Sequence, residues 1–300
     1  MAEFTVAQVD YAQALPALRQ VREAVFVREQ RVPVEEEWDA LDPLSLHLLA
    51  RDAAGAPIGT ARLTPDHRIG RMAVLAPWRS RGVGDALLGL ALRQAEQDCW
   101  EQVRLNAQVS AEGFYARHGF LPVGERFMEA GIEHQAMRLR LHGPMAVETQ
   151  AEAAAALLAL AASTRSLLCL YSRDLDPGLL DAAAVAEALR ALAVRRRGAE
   201  IRILLQDPDA PLREGSVLLA LAQRLPSSFQ LRAVADPVDR GYPSAFACNE
   251  AGSYLFRPLG HRFDGEFDRR GPGRARQLRE QFGRFWERAR PCTELRALEL

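Results

Sequence analysis

The sequence predicts a soluble protein with two domains, each an α/β or α+β sheet covered by helices. A chain of 300 residues has the length of about two domains. Its composition, with 48% hydrophobic and 26% charged residues, is that of an ordinary globular protein. Apolar residues recur with helix and strand periods in alternation along both halves, which is typical of sheets with packed helices.

In the first half, strands and helices alternate. Helical patterns span residues 17–30, 84–96 and 110–118, and strand patterns span 46–51, 58–63, 68–75, 102–107 and 136–141. The last strand pattern stops at His142-Gly143-Pro144, and an Ala/Leu-rich helix follows it. We therefore place the boundary near residue 146, between a first domain at 1–145 and a second at 148–300.

The second half repeats the layered order. Helical patterns span 151–162, 182–194, 216–224 and 275–288, and strand patterns span 166–171, 200–205, 229–234, 245–248 and 253–256. The last two strands flank the turn Glu250-Ala251-Gly252 and predict a hairpin. This half is predicted to be an α/β domain.

Composition also limits the function classes. No apolar run reaches about 18 residues, and the acidic start Met1-Ala2-Glu3-Phe4 lacks the pattern of a secretory signal. We therefore expect no membrane contact and a cytoplasmic location, with four scattered cysteines kept as thiols and no metal site. All 38 basic residues are arginine, which suggests a GC-rich bacterial genome and excludes a lysine base or nucleophile.

The most informative segment runs from Ile69 to Leu88, where a strand pattern ends, a short loop follows and a helix begins. The first N–H groups of a helix are unpaired and its dipole is positive there, so this point attracts anions. Gly82 and Gly84 allow close approach to the backbone, and Arg79 and Arg81 add charge, which suits a pyrophosphate. The loop lacks the Lys-Ser/Thr of a Walker motif and the third glycine of a dinucleotide fingerprint.

Two motifs together resemble those of the GNAT acetyltransferases. Arg79-x-x-Gly82-x-Gly84 resembles the R/Q-x-x-G-x-G/A motif that grips the pyrophosphate of acetyl-CoA. The run from Phe114 to Phe120 resembles the family's F-Y-x-x-x-G-F helix end. The resemblance covers residues 5 to 142 and implies the GNAT fold, a mixed, mostly antiparallel sheet with flanking helices. The run from Phe26 to Pro33, with Asp39, Asp42 and His47, looks like a bacterial GNAT subgroup.

The resemblance also implies roles at named positions. The residues matching the acetyl-CoA site are Met72, Ala73, Val74, Arg79, Arg81, Gly82, Val83 and Gly84. The strand 72–74 would pair with the pantetheine arm and offer an N–H to the oxyanion. Tyr115 matches the tyrosine that protonates the departing thiolate, the alternative being a core aromatic.

The amine acceptor also needs a group that removes a proton. Glu29 and His47 are the principal candidates, and Glu35 to Glu37 and His134 are others. The acidic run 35–37 is typical of a solvated loop, which would favour a cationic amine if it lined the acceptor cleft. His47 lies between two leucines on a strand, so its side chain points away from theirs.

The second half resembles part of the phospholipase D fold without its catalytic residues. At the spacing of that superfamily's H-x-K-x-x-x-x-D motif the chain has Tyr242, Ser244 and Asn249. We therefore predict a non-catalytic relative. Asp264, Glu266 and Asp268 alternate near His261 as on one face of a strand or loop, and a solvated loop is favoured over a metal site.

Arginine is in excess near the C-terminus. Residues 257–296 hold eleven arginines and six acidic residues, which is compatible with RNA or an acidic partner, or with a solvated helix. The sequence thus predicts acetyl transfer from acetyl-CoA to an unknown amine, with a C-terminal binding or regulatory domain. The alternative is an acetyl-CoA-sensing or nucleic-acid-binding protein with a degenerate acetyltransferase domain.

Overall fold

The computed structural model describes residues 3–196, 198–211, 215–292 and 295. The chain divides into two compact units, Met1–Val109 with Val123–Leu141, and Ser110–Pro122 with His142–Leu300. The segment 110–122, which carries the F-Y-x-x-x-G-F run, is thus grouped with the C-terminal half.

Strands and helices alternate through both units. The strands are β1 (Phe4–Val9), β2 (Leu46–Asp52), β3 (Pro57–Thr64), β4 (Arg68–Val74), β5 (Gln102–Gln108), β6 (Leu121–Pro122), β7 (Phe127–Glu129), β8 (Ile132–Arg140), β9 (Met145–Val147), β10 (Leu167–Ser172), β11 (Glu200–Leu205), β12 (Phe229–Ala233), β13 (Ala245–Asn249), β14 (Tyr254–Arg257), β15 (Gly265–Asp268) and β16 (Arg290–Pro291). The α-helices are α1 (Tyr11–Arg22), α2 (Val34–Glu37), α3 (Val83–Gln97), α4 (Glu112–Arg117), α5 (Gln150–Ser163), α6 (Ala183–Arg195), α7 (Val217–Arg224), α8 (Pro237–Arg240) and α9 (Pro272–Arg288).

The first unit is built on a mixed sheet. Strands β1 to β4 pair antiparallel in chain order, β4 lies parallel to β5, and β8 pairs antiparallel with both β5 and β7. This mixed, mostly antiparallel sheet confirms the predicted fold class.

Helices α1 and α3 cover opposite faces of this sheet. Leu18 of α1 packs on Leu49, whereas Gly59, which points to the other face, lies under α3. A Cβ at Gly59 would come within 3.0 Å of Leu87 and 3.1 Å of Val83, so the missing side chain allows α3 to lie close to the sheet. The close approach fixes where the first turn of α3 lies relative to β4.

The helix predicted at 17–30 begins earlier and ends differently. The Asp10 side chain caps α1 by accepting a hydrogen bond from the N–H of Gln13 at 2.9 Å, and the α-helix ends at Arg22. A π-helical segment, Glu23–Glu29, continues it. The wider turn carries Glu29 at its end, and π-helical turns are frequent at functional sites.

The second unit has a sheet with helices on both faces. Its strand order is β16-β12-β11-β10-β13-β14-β15-β9, and only β10, β11 and β12 among these neighbours run parallel. One face, which includes Tyr171 and Phe246, packs on Phe282 and Trp286 of α9. Asn249 belongs to the other face, where its amide donates to the Leu160 carbonyl oxygen of α5 at 3.2 Å. The predicted α/β layering and the hairpin of β13 and β14 are confirmed.

One expectation for this unit is wrong. Residues 265–268, expected in a solvated loop, form β15, which pairs with β14 and β9, and Asp268 is buried. Partners on both sides satisfy the backbone there, so the alternating acids belong to a strand. None of the described helices combines the length and apolar character that a bilayer crossing requires.

Candidate active site

A gap opens in the sheet of the first unit between β4 and β5. The two strands pair at Arg68 and Arg104 and then diverge, so the C-terminal half of β4 leaves its parallel neighbour. On its other edge β4 stays hydrogen-bonded to β3, with Thr60 opposite Ala73 and Gly59 opposite Val74. The resulting cleft lies beside residues 72–74, the segment predicted to pair with a pantetheine arm.

A bulge in β4 sets the direction of this segment. The register with β3 shifts between Thr60 and Arg62, and Arg71 has a φ of 49°, which L-residues adopt at a cost. The Arg71 guanidinium donates to the carbonyl oxygens of Glu36 and Glu37, both at 3.1 Å, and these contacts hold it in place. The bulge thereby turns the strand just before the cleft.

The loop after β4 leads directly into α3. A single 3₁₀ turn, Ala76–Trp78, is followed by Arg79 and then by Gly82, the N-cap of α3, which has a φ of 83°. Apart from its chain neighbours, none of the described residues has a heavy atom within 4 Å of the position where a Gly82 Cβ would stand. The backbone just before the first turn of α3 is therefore accessible, as an anion-binding helix end requires. The residues present fit the pyrophosphate of acetyl-CoA.

The arginines of the loop are not equally placed. Arg79 forms a bidentate ion pair with Glu29, with N···O distances of 2.7 and 2.6 Å, and its Nε–H donates to the Val74 carbonyl oxygen at 3.0 Å. Both side chains are exposed, at 42% and 45%. The guanidinium of Arg81 lies 5.3 Å from the centre of the Trp78 ring and 3.8 Å from Glu3.

This pair changes the chemistry of Glu29, a candidate base. The hydrogen bonds from Arg79 lower the pKa of Glu29, so its carboxylate stays ionised and binds protons weakly. In this arrangement Glu29 occupies the arginine that was expected to hold pyrophosphate. The structure therefore joins two residues that the sequence placed in separate roles.

His47, the other principal candidate base, lies in the interior. Its side chain is 1% exposed, its Nε2 lies 2.8 Å from the Asp42 carbonyl oxygen, and its ring stacks on Tyr11 at 4.8 Å. Burial lowers the pKa of His47, so the imidazole is neutral near pH 7. Its Nδ1 is buried and has no protein partner among the described residues.

His47 borders a largely buried network of balanced charge. The six charged side chains are Arg22, Arg62, Arg71, Glu37, Asp39 and Asp42. Arg22, which is fully buried, contacts Glu37 at 2.5 Å and Asp42 at 2.7 Å, and its guanidinium lies 4.0 Å from the centre of the Trp38 ring. Burial alone would raise the pKa of Asp42, but hydrogen bonds from Arg22 and Arg62 outweigh it and lower that pKa. Three cations and three anions compensate one another, which buried charges need.

This network corrects one expectation. Glu37 is 2% exposed and paired with Arg22, so the acidic run 35–37 is not a uniformly solvated loop. Glu37 of α2 instead forms an ion pair with Arg22 of α1, and this pair connects the two helices. Glu35 and Glu36 are exposed as expected.

Polar side chains cluster near the end of β5 where it separates from β4, and the sequence predicted no role for them. The amides of Gln30 and Gln108 donate to each other, at 3.2 and 2.9 Å. Asn106 accepts from Arg68 at 2.8 Å and donates to Glu129 at 3.1 Å. Asn106 and Gln108 alternate with buried Ala107, and this alternation was the available signal, since it places both amides on one strand face.

His134 lies opposite Gln108 on β8. Its Nδ1 is 2.9 Å from the Ile132 carbonyl oxygen, and its ring stacks on Phe127 at 5.9 Å. The side chain is 9% exposed. These contacts hold the imidazole in one orientation beside the amides of β5.

Tyr115 lies in α4, in the second unit. Its ring contacts Phe114 at 5.0 Å and Phe120 at 5.9 Å, both edge to face. Burial raises the pKa of Tyr115 to about 12. The phenol therefore keeps its proton at neutral pH, as a general acid must, and helix α4 packs on α5 within this unit.

The second unit uses several of its C-terminal arginines in its own fold. Arg257 is buried and paired with Asp176, and Arg288 binds Asp239 through two hydrogen bonds at 2.9 and 2.6 Å. The guanidinium of Arg274 lies 4.7 Å from the centre of the Phe256 ring. Fewer of these arginines are therefore available to a partner on the surface than their number in the sequence suggests.

Comparisons with known proteins separate the two halves. Residues 14–141 match the family described as "Acetyltransferase (GNAT) domain", and residues 149–298 match "Domain of unknown function (DUF7931)". The uncharacterized N-acetyltransferase YjcF of Bacillus subtilis is 39% identical over 121 residues, which cover 39% of this chain and 86% of that protein.

Two solved structures also resemble the first half. An acyl-CoA N-acyltransferase from Pseudomonas aeruginosa is 33% identical with a TM-score of 0.41, covering 45% of this chain and 98% of its own. Escherichia coli ElaA is 31% identical with a TM-score of 0.40, covering 46% and 99%. None of these comparisons tests the likeness of the second half to phospholipase D, which stays a prediction.

Proposed function

The chain belongs to the GNAT acetyltransferases through residues 14–141 and to the DUF7931 family through residues 149–298, and on this premise we propose that it transfers the acetyl group of acetyl-CoA to an amine. The supporting observation is the open N-terminus of α3. Gly82 has a left-handed backbone with free space before it, and it follows the strand that leaves the sheet at the cleft. Residues 72–74 and Arg79, Arg81, Gly82, Val83 and Gly84 form this proposed cofactor site.

The cleft beside β4 supplies a place for the reacting carbonyl. A backbone N–H of the segment 72–74 would stabilise the oxyanion that forms when the amine attacks. Tyr115, protonated at neutral pH, would donate its proton to the departing thiolate. Of the two principal candidate bases, Glu29 is exposed, whereas His47 is enclosed by Tyr11 and Asp42. Glu29 would act as a base only once its ion pair with Arg79 opens, because that pair lowers its pKa.

A matched pair of glycine variants tests the cofactor site. Gly82 and Gly55 have similar φ angles, 83° and 85°, and neither has a heavy atom within 4 Å of a Cβ. Gly82→Asp puts a carboxylate before the helix end, whereas Gly55→Asp puts the same group in the turn between β2 and β3. We expect calorimetry to show acetyl-CoA affinity reduced more than about tenfold in Gly82→Asp and unchanged in Gly55→Asp.

Unchanged acetyl-CoA affinity in Gly82→Asp would contradict the proposal. If Gly82→Asp binds acetyl-CoA as tightly as the parent chain, the loop from Arg79 to Gly84 is not the cofactor site. Turnover with an acceptor panel, read as released thiol, then tests catalysis separately. Acetyl-CoA binding without thiol release for any amine would favour the alternative of an acetyl-CoA sensor.

We also propose that the C-terminal half supports the acetyltransferase and holds a partner. Helix α4, which carries Tyr115, packs on α5, so this half contributes to the setting of the proposed acid. Arg276 and Arg284 are exposed on α9 and could contact RNA or an acidic protein. RNA affinity that falls steeply as the salt concentration rises, with a weaker salt dependence in Arg276→Gln, would support the nucleic-acid partner.

A further inference from the structure

The second unit contains a cavity outside the proposed acetyltransferase site. Its volume is about 390 Å³, within the range of small-molecule sites. The lining residues with charged or polar side chains are Arg173, Gln206, Asp207, Arg240, Tyr242, Ser244 and His261. Every one of them belongs to the second unit.

The cavity lies where α/β sheets place their ligands. Arg173 directly follows β10, and Gln206 and Asp207 directly follow β11, which runs parallel to β10. Ser244 precedes β13, and Gly260 and His261 follow β14, whose end pairs with the start of β13. The carboxyl ends of two parallel strands thus form one wall, and two loops at the same sheet edge form the other.

Positive charge exceeds negative charge in this lining. Arg240 is held by its Nε–H, which donates to the Val234 carbonyl oxygen at 3.1 Å. Within the part of the chain that the structure describes, its terminal NH₂ groups make no hydrogen bond, so they can contact a ligand. Arg173 contributes a second, exposed guanidinium. The opposing charge is Asp207, and its carboxylate accepts from the N–H groups of Asp209 and Ala210 at 3.1 and 3.3 Å. Two guanidiniums on different walls favour an anion with several oxygens.

The wall behind these groups is rigid. Gln206 donates to the Tyr171 hydroxyl at 2.9 Å and to the Tyr242 carbonyl oxygen at 2.6 Å. The Tyr171 hydroxyl in turn donates to the Asp239 carbonyl oxygen at 2.9 Å. Asp239 is fixed by its ion pair with Arg288. A preorganised wall reduces the entropy lost when a ligand binds.

We infer that this cavity binds a small phosphorylated molecule, with Arg173 and Arg240 contacting the phosphate. A phosphate monoester carries enough oxygens for both guanidinium forks, and the remaining volume accommodates the group esterified to it. Ser244, which is 8% exposed, adds a hydroxyl to the lining. The inference concerns binding alone and does not depend on the acetyltransferase proposal.

Binding of inorganic phosphate and glycerol 3-phosphate to the full chain tests this inference. We expect saturable binding of both, weakened about tenfold or more in Arg173→Gln and in Arg240→Gln. The Arg173 side chain is exposed, so its variant remains informative if Arg240→Gln disturbs the loop that Arg240 holds. The matched control is Arg195→Gln, the same charge change at the exposed end of α6, which should bind as the parent chain does.

Further arms distinguish the other sites and ligands. Phosphate affinity that falls in Gly82→Asp but not in the two cavity variants would place the phosphate at the start of helix α3, in the loop from Arg79 to Gly84, and overturn the inference. An equal loss in Arg195→Gln would show unspecific attraction and overturn it as well. So would binding of single-stranded RNA that is sensitive to both cavity variants, without binding of either small phosphate.

Discussion

Replacing Glu29 by glutamine should tighten acetyl-CoA binding. Arg79 is the first residue of the proposed pyrophosphate loop, yet its two terminal nitrogens contact the Glu29 carboxylate, at 2.7 and 2.6 Å. A pyrophosphate approaching Arg79 either displaces this carboxylate or meets a guanidinium already neutralised by it. The substitution Glu29→Gln keeps the shape of the side chain and removes the competing charge.

The size of the effect follows from the exposure of the pair. With Arg79 and Glu29 exposed by 42% and 45%, solvent screens much of their attraction. Exposed pairs contribute about 0–1 kcal/mol, and the bidentate geometry places this one near the upper end. Since about 1.4 kcal/mol corresponds to tenfold in affinity, we expect the Kd for acetyl-CoA to fall about fivefold. The effect should shrink at high salt.

Calorimetric titration of Glu29→Gln with acetyl-CoA measures this directly. The control is Glu187→Gln, which breaks a similarly exposed bidentate pair with Arg190 in the second unit, with both N···O distances 2.7 Å. Unchanged or weaker acetyl-CoA binding in Glu29→Gln would refute the competition and indicate that Glu29 positions Arg79 for the cofactor. An equal gain in the control would refute it too.

Three further perturbations test other parts of the molecule. Tyr115→Phe should lower kcat about 100-fold to 10,000-fold in thiol-release assays, with little change in acetyl-CoA affinity, and a loss below about threefold would assign Tyr115 to packing. Burial lowers the pKa of His47, so as the pH falls the unfolded state binds a proton at this residue before the folded state does. Urea unfolding should therefore show the parent chain more stable than His47→Gln above about pH 6.5, with the difference shrinking as the pH falls below that value. A pH-independent difference would contradict that reasoning. A chain ending at residue 145 lacks α5, on which α4 packs, so it should keep acetyl-CoA binding but lose kcat, and full turnover would exclude a supporting role.

Much of the candidate cofactor site could be predicted because it is local in sequence. The path from β4 through Arg79 to Gly82 and α3 spans a few consecutive turns, and its φ of 83° at Gly82 is a conformation that glycine adopts without strain. The β13–β14 hairpin is local in the same sense. Neither β1 nor the cap at Asp10 was predicted, although both belong to local segments.

The roles of individual charges could not be predicted. Glu29 and Arg79 are separated by 50 positions, and Arg22 and Asp42 by 20, so no local pattern indicates that they meet. The difference matters because a carboxylate beside a guanidinium is a weak base, while an isolated one in a cleft is not. The same holds for Glu37, which has the sequence pattern of a surface residue until Arg22 is placed beside it.

The sequence by itself determined the order of most helices and strands, the glycine at the start of α3 and the family of the first half. These properties depend on dihedral preferences and on the spacing of apolar residues, which act over a few neighbours. Only the tertiary structure decided that Arg79 is paired, that His47 is enclosed, and that residues 110–122 group with the C-terminal half. Such facts depend on which distant groups share a volume from which water is excluded, and burial and pairing then set their charge and their chemistry.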